Sequence, residues 1–231
     1  MQTPLSFLRL RRLAAANPCA LLLAAQLASL ALYPLMDESH DGRVLFGAVA
    51  LFVVPLTVWV VQRSPSAIWI AWLLGAPALL LSASAIAFGQ PALIAWSAVL
   101  ESALYFYAAG SLIRYMLADN RVSSDELFAA AATFTLLAWG FAYAFYACQA
   151  WVPGSFTGLQ QPQRARSWIE LLFLSVSTLS GVGSGDVIPL RPQARSLVML
   201  AQFAGVGYIA AVVSRLIGMT LRRERDRRGG G

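Results

Sequence analysis

The sequence predicts an all-α membrane protein with six membrane-spanning helices and a short helix and loop between the fifth and the sixth. Of the 231 residues, 58% are hydrophobic and only 12% are charged, whereas about a quarter of the residues in a soluble domain are charged. Six apolar segments reach the roughly twenty residues that a helix needs to cross a bilayer. A shorter apolar segment, 168–179, continues directly into a loop with glycine at every second position.

The six predicted spans follow a basic N-terminal segment, 1–16. This segment is typical of the start of a signal peptide, but the apolar stretch after it is long enough to span, so we interpret that stretch as a retained first helix. The pattern from Ser123 to Glu126 indicates a capping box at the start of the fifth helix. The spans are predicted at 18–36, 43–62, 67–88, 91–117, 125–151 and 193–218.

Arginine supplies all 17 basic residues, and its positions predict the orientation. Positive residues concentrate on the cytoplasmic side of membrane proteins. Six spans place four groups of arginines on one side, at 9–12, 63, 114–121 and 222–228. Five other arginines, at 43, 164, 166, 191 and 195, fall on the opposite side and weaken this argument. The larger number on the first side still favours cytoplasmic termini in a cell (inner) membrane. The arginine-rich tail can then contact anionic lipid, and no nucleic-acid partner is expected.

The loop from Gly181 to Asp186 carries the strongest functional signal. Glycine adopts positive φ at no steric cost, so alternating glycines allow successive carbonyl oxygens to face one side, as in a cation pathway. Irregular backbone at membrane depth persists only where protein or a water-filled cavity satisfies it. Such a run is also typical of a flexible turn or a phosphate-binding loop, but the latter should follow a strand in a soluble βαβ unit.

This stretch resembles the pore domain of the potassium-channel superfamily over about the last hundred residues. The family pattern has a short pore helix with a Thr/Ser-rich end, then T-V-G-Y-G-D, a proline, and an inner helix with a hinge glycine. It aligns without a gap, with Pro189 and Gly205 at the expected distances. Two filter residues differ from the family pattern: Gly181 replaces the family's threonine, and Ser184 replaces its tyrosine.

The resemblance implies a homotetramer in which each chain contributes one re-entrant pore helix and filter loop. The filter would comprise Gly181, Val182, Gly183, Ser184 and Gly185. The carbonyls of the first four would bind a monovalent cation, and the Val182 side chain would pack backward against the pore helix. The flanking residues are Ser177, Thr178, Ser180 and Asp186; the inner-helix gate and cavity residues are Gln202, Gly205, Val206, Ile209 and Val213.

The predicted domains are therefore an N-terminal segment over 1–16, a four-helix bundle over 17–120, a pore domain over 121–219 and a basic tail over 220–231. The fourth span carries only Glu101 and Arg114, not the row of arginines with which a voltage sensor moves charge, so we expect weak or no voltage dependence. Glu101 is a candidate functional residue, or else a packing residue satisfied by Ser97, Ser102 and Tyr105.

The sequence thus predicts a cation channel with an altered, weakly selective filter and no cofactor beyond the permeating ions, K⁺ or Na⁺, with Ca²⁺ as a further candidate. The alternative is a channel-like structural or regulatory subunit that does not conduct. An enzyme is not expected, because no metal-ligand set, nucleophile elbow or paired carboxylates occur. A transporter would require a second, matching broken segment, and only one is present.

Overall fold

The computed structural model describes residues 18–32, 55–59, 67–88, 90–118, 124–159, 161–183 and 185–229. Residues 55–59 are helical. The other elements, in chain order, are α1 (Pro18–Leu32), α2 (Ile68–Phe88), α3 (Pro91–Ala118), α4 (Ser124–Trp151), β1 (Phe156–Gly158), α5 (Trp168–Leu179), β2 (Val187–Pro189) and α6 (Pro192–Gly229).

Four helices are long and apolar enough to cross a membrane, namely α2, α3, α4 and α6. They confirm the third to sixth predicted spans. The first predicted span is helical over only 15 residues in α1, and of the second only residues 55–59 are described. Residues 1–16 and the predicted domain boundary at 120–121 lie outside the described residues.

Helix α4 is the central helix, and four other helices pack against it. Three of them donate a side-chain hydrogen bond to its backbone carbonyls, which retain a second lone pair for such bonds. The donors are Ser102 Oγ of α3 to Gly140 O, Ser175 Oγ of α5 to Ala138 O, and the Tyr208 hydroxyl of α6 to Ala130 O. The Thr135 hydroxyl of α4 bonds Gln26 of α1. Two helices before α4, namely α1 and α3, and the pore-helix candidate α5 therefore pack against the same helix, α4.

The structure is mostly helical, as predicted, but it also contains a small antiparallel sheet that the sequence did not predict. β1 pairs with β2 so that Phe156 lies opposite Pro189, Thr157 opposite Ile188, and Gly158 opposite Val187. Strands of three residues are too short to give an alternating pattern that the sequence reveals. The sheet joins the segment after α4 to the residues that directly follow Asp186.

Helix α6 extends further than the predicted span, which ended at residue 218. It continues through the arginine-rich segment to Gly229. Arginine, glutamate and leucine are good helix formers, so the basic segment prolongs the helix at little cost in backbone propensity.

The crossing of α3 and α4 depends on a glycine. A Cβ at Gly140 would lie 3.0 Å from Cε1 of Phe106, whose ring stands edge-on to Phe141 at 4.8 Å. We expect Gly140→Leu to destabilise the protein by about 1–3 kcal/mol, because an added side chain in a packed interface forces neighbours to move. The melting temperature in detergent measures this.

The matched control is Gly110→Leu on α3, where a Cβ would meet nothing within 4 Å. Equal losses of melting temperature in the two variants would contradict the role assigned to Gly140.

Candidate functional site

The pore-helix candidate, α5, has the bounds that the sequence predicts and begins with a complete capping box. Ser167 Oγ accepts a hydrogen bond from the Glu170 backbone N–H at 3.3 Å, and Glu170 Oε2 accepts one from the Ser167 N–H at 2.6 Å. Two of the free N–H groups at the helix start are thereby satisfied. Leucines and hydroxyl residues form its buried face, which packs against α4 and α6.

The predicted flanking hydroxyls at the end of α5 all donate back into the helix. Ser177 Oγ donates to Leu174 O at 3.0 Å, and Ser180 Oγ donates to Ser177 O at 3.3 Å. The Thr178 hydroxyl is directed at the carbonyls of Leu174 and Ser175. Over residues 181–183, which carry only glycine and valine side chains, the polar groups of the following loop are those of its backbone.

The glycine loop folds onto the end of α5. Gly181 has φ of 76° and Gly183 has φ of 68°, as the alternating glycines predict. The Gly181 N–H donates to Thr178 O at 3.2 Å, and the Gly183 N–H donates to Ser177 O at 3.0 Å. Two carbonyls that the helix end leaves open therefore receive partners from the loop. Ser184 lies outside the described residues.

The position of Val182 differs from the prediction. We expected its side chain to pack backward against α5, but it is 75% exposed in the single chain. The hydrogen bonds of Gly181 and Gly183 hold the backbone on both sides of Val182 toward the helix end. The side chain between them therefore points away from it. Gly181, Gly183, Gly185 and Asp186 are also exposed.

The predicted gate and cavity residues divide between two faces of α6. Gln202, Val206, Ile209 and Val213 are exposed along one side of the helix, at the spacing the sequence predicts. Gly205 is buried, and a Cβ there would overlap the backbone of Leu179 at the end of α5. This glycine is therefore required for the close approach of the two helices, and the helix runs through it unbroken. Gly205 does not lie on the face of the other four.

Arg166 is a site residue that the sequence analysis did not identify. It is 4% exposed, and its Nη1 lies 3.3 Å from Glu170 Oε1. Its backbone is held by the Gln149 side chain, which accepts from the Arg166 N–H at 2.7 Å and donates to its carbonyl at 2.8 Å. The four-residue spacing of Arg166 and Glu170 was the only signal in the sequence, and such spacing is common on helices.

A pocket of about 520 Å³ lies beside Arg166, at the end of the loop that Asp186 occupies. It contains charged groups of both signs, from Arg164, Arg166, Glu170 and Asp186, together with the apolar side chains of Ile169 and Phe173. Within the part of the chain that the structure describes, no group of three or more His, Cys, Asp or Glu side chains could hold a metal ion.

Glu101 has different partners from those expected. It is 2% exposed, and its carboxyl group interacts with the hydroxyls of Tyr143 on α4 and Ser82 on α2. The expected partners Ser97 and Ser102 donate instead to the carbonyls of Ile94 and Gly140. These contacts join three helices, which spacing within one helix could not reveal.

Aromatic rings connect Glu101 to the start of α5. Tyr143 stacks on Tyr105 at 5.6 Å and contacts Trp168, the first residue of α5, at 5.3 Å. Trp139 stands edge-on to both Tyr105 and Trp168, at 5.7 and 5.2 Å. The buried carboxyl group and the first residue of the pore-helix candidate are thus parts of one packed cluster.

Comparison with known proteins identifies a channel domain. A family model described as ion channel matches residues 130–222, which include most of α4, the sheet, α5, the glycine loop and most of α6. No curated protein and no solved structure is significantly similar to the chain. The chain therefore contains a segment, residues 130–222, that is similar to ion-channel domains, and two helices that this segment largely includes, α4 and α6, are among those apolar enough to cross a membrane.

Proposed function

We propose that four copies of the chain form a cation channel whose pathway is lined by the backbone carbonyls of Gly181, Val182, Gly183 and Ser184. One observation carries this proposal: the loop at the end of α5 has positive φ at Gly181 and Gly183, while the hydroxyls before it donate into the helix. Backbone carbonyls are then the groups that can replace the hydration shell of a cation. Gly185 completes the proposed filter.

Charge and dipole favour cations over anions at this site. The end of α5 that meets the loop carries the negative pole of a helix dipole, near half an elementary charge. Asp186 is exposed directly after the loop and adds a carboxylate at its outer end. Four chains around an axis would multiply both effects.

The filter composition supports weak discrimination among cations, with K⁺ or Na⁺ as the permeating ions and Ca²⁺ as a further candidate. At position 181 glycine provides a carbonyl but no hydroxyl, and at position 184 serine replaces an aromatic ring. Ser177, which could brace the filter from behind, donates to Leu174 instead. A less constrained ring of carbonyls adapts to ions of different radius.

Exposed apolar surface on α5 and α6 supports a homotetramer. Phe203 is 77% exposed, and Phe173, Val176, Met199 and Leu200 are also exposed large hydrophobic residues. One loop per chain cannot close a ring, whereas rotational symmetry places the same faces against their neighbours. The exposed side of α6 would then turn toward the axis, where Val206, Ile209 and Val213 form a constriction that closes by dewetting.

The arrangement in the membrane follows from the distribution of charges. With cytoplasmic termini in a cell (inner) membrane, the basic end of α6 lies near anionic lipid headgroups, each arginine contributing about 1 kcal/mol. The α3 span has no arginine row, so voltage dependence is weak or absent. No catalytic activity is proposed.

A second candidate function is a channel-like subunit that assembles but does not conduct. The replacement of the family's filter threonine by Gly181 and of its tyrosine by Ser184 favours it. Ion flux from liposomes distinguishes the two functions.

We expect Gly183→Ala to abolish flux from liposomes holding the purified protein under K⁺, Na⁺ or Ca²⁺ gradients. An L-residue at the φ of 68° found there is strained by roughly 1–2 kcal/mol and will turn the adjacent carbonyls. Gly110→Ala is the control, since that glycine lies on α3 with open space around its Cα. Equal flux in both variants would contradict the assignment of the loop as the filter, and an intact tetramer without flux under any gradient would favour the second candidate.

The oligomer gives a separate test. We expect Phe203→Ser to weaken the tetramer, because Phe203 lies on the face proposed to meet other copies, whereas Leu80→Ser on α2 removes an equally exposed side chain outside that face (77% and 69% exposed). Native mass spectrometry in detergent measures the fraction of tetramer. Similar dissociation in both variants would count against the proposed interface.

A further inference from the structure

We infer that Arg166 is a positioning residue that holds the outer end of the filter and thereby sets how well the channel discriminates among cations. This inference rests on the proposed function. It assigns a specific role to a buried arginine outside the ion pathway.

The Arg166 side chain is buried with its hydrogen-bonding groups engaged. Its side chain is 3% exposed. Nε donates to Arg164 O at 2.9 Å, Nη1 contacts Glu170 Oε1 at 3.3 Å, and Nη2 contacts the carbonyls of Gln161 and Arg164. A buried guanidinium is tolerated only when its charge is paired and its N–H groups are bonded. Its planar fork fixes the relative positions of these partners.

The guanidinium also meets β1, which pairs with the strand that follows the filter, β2. A Cβ at Gly158 would overlap Nη1 of Arg166 and would lie 3.5 Å from the Asp186 carbonyl oxygen. Gly158 pairs with Val187, the residue directly after Asp186. The guanidinium therefore lies between the start of α5 and the sheet, and glycine is required at 158 because a side chain there would overlap it.

Arg166 and the capping box connect the end of the loop that Asp186 occupies to the first turn of α5. Glu170 Oε1 pairs with Arg166 while Oε2 binds the Ser167 N–H, so the guanidinium is tied to the first turn of α5. The other end of α5 holds the loop through the Gly181 and Gly183 N–H groups. The filter is thus held between the two ends of one helix.

Loss of the guanidinium leaves the carbonyls of Gln161 and Arg164 without these donors and enlarges the space beside the 520 Å³ pocket. The sheet can then shift relative to α5, and Asp186 moves with it. A filter whose outer end moves more freely adapts to ions of different radius. We therefore expect a smaller difference in permeability between the most and the least permeant monovalent cation.

The experiment compares Arg166→Met with Arg166→Lys and with Arg164→Met in liposomes, using Li⁺, Na⁺, K⁺, Rb⁺ and Cs⁺. In Arg166→Met the ratio of highest to lowest permeability should fall toward one by a factor of roughly two to three, the lower end of the effect of losing one net hydrogen bond. Lysine should restore part of the ratio. Arg164→Met should retain it, because that residue binds the same Glu170 oxygen from a side chain 42% exposed.

A second variant tests the same contact without removing the arginine. Gly158→Ala places a methyl group where Nη1 lies and should narrow the permeability ratio in the same direction. This variant also decides the question if Arg166→Met does not assemble.

The outcomes separate this inference from the proposed function. If the wild-type protein shows no ion flux, or shows flux that Gly183→Ala does not change, both the proposed function and this inference are overturned. Wild-type flux with an ion order that Arg166→Met and Gly158→Ala leave unchanged overturns the role of Arg166 alone, even if the melting temperature falls. Wild-type flux that is equal for all five cations also overturns it.

Discussion

The hydrogen bonds that join the glycine loop to the end of α5 are the interaction on which the channel domain depends. A helix end inside a membrane protein leaves carbonyl groups that need partners, since water is scarce there. The N–H groups of Gly181 and Gly183 supply two of them, which only residues tolerant of positive φ can do without strain. The Val182 side chain between these two bonds is exposed. One local requirement therefore fixes both the sequence and the shape of the loop.

The position of the loop depends on the position of α5, which is fixed by contacts with α4 and α6. The Ser175 hydroxyl bonds a carbonyl of α4, and Gly205 lets α6 contact the backbone of Leu179. These are close contacts between small residues, which drive helix association where no hydrophobic effect operates between helices. Gly205 illustrates the consequence: the expected hinge position is also the point at which two helices touch. Any movement of α6 at this glycine would disturb the end of the helix that bears the loop.

Sequence reasoning recovered the features that depend on local pattern. Hydropathy predicted six spans, four of which are long apolar helices in the structure. The apolar segment before the glycines predicted α5 with its bounds. Both predictions follow from composition over one segment. It missed the sheet, the Gln149–Arg166 pair and the partners of Glu101. Each of these joins segments distant in sequence: Phe156 with Pro189, or Glu101 with Tyr143. The position of Val182 was wrong for a related reason, since alignment to the family pattern does not specify which way the loop turns.

The cluster around Glu101 shows why the N-terminal bundle and the pore helix form a single mechanical unit. Tyr105 on α3 contacts both Tyr143 and Trp139 on α4, and both of these contact Trp168. Packed aromatic rings resist independent displacement because the interior has few voids. A displacement of α3 therefore reaches the first turn of α5, where Glu170 also pairs with Arg166. Helices α3 and α4 and the Arg166–Glu170 pair therefore converge on the same turn of the same helix.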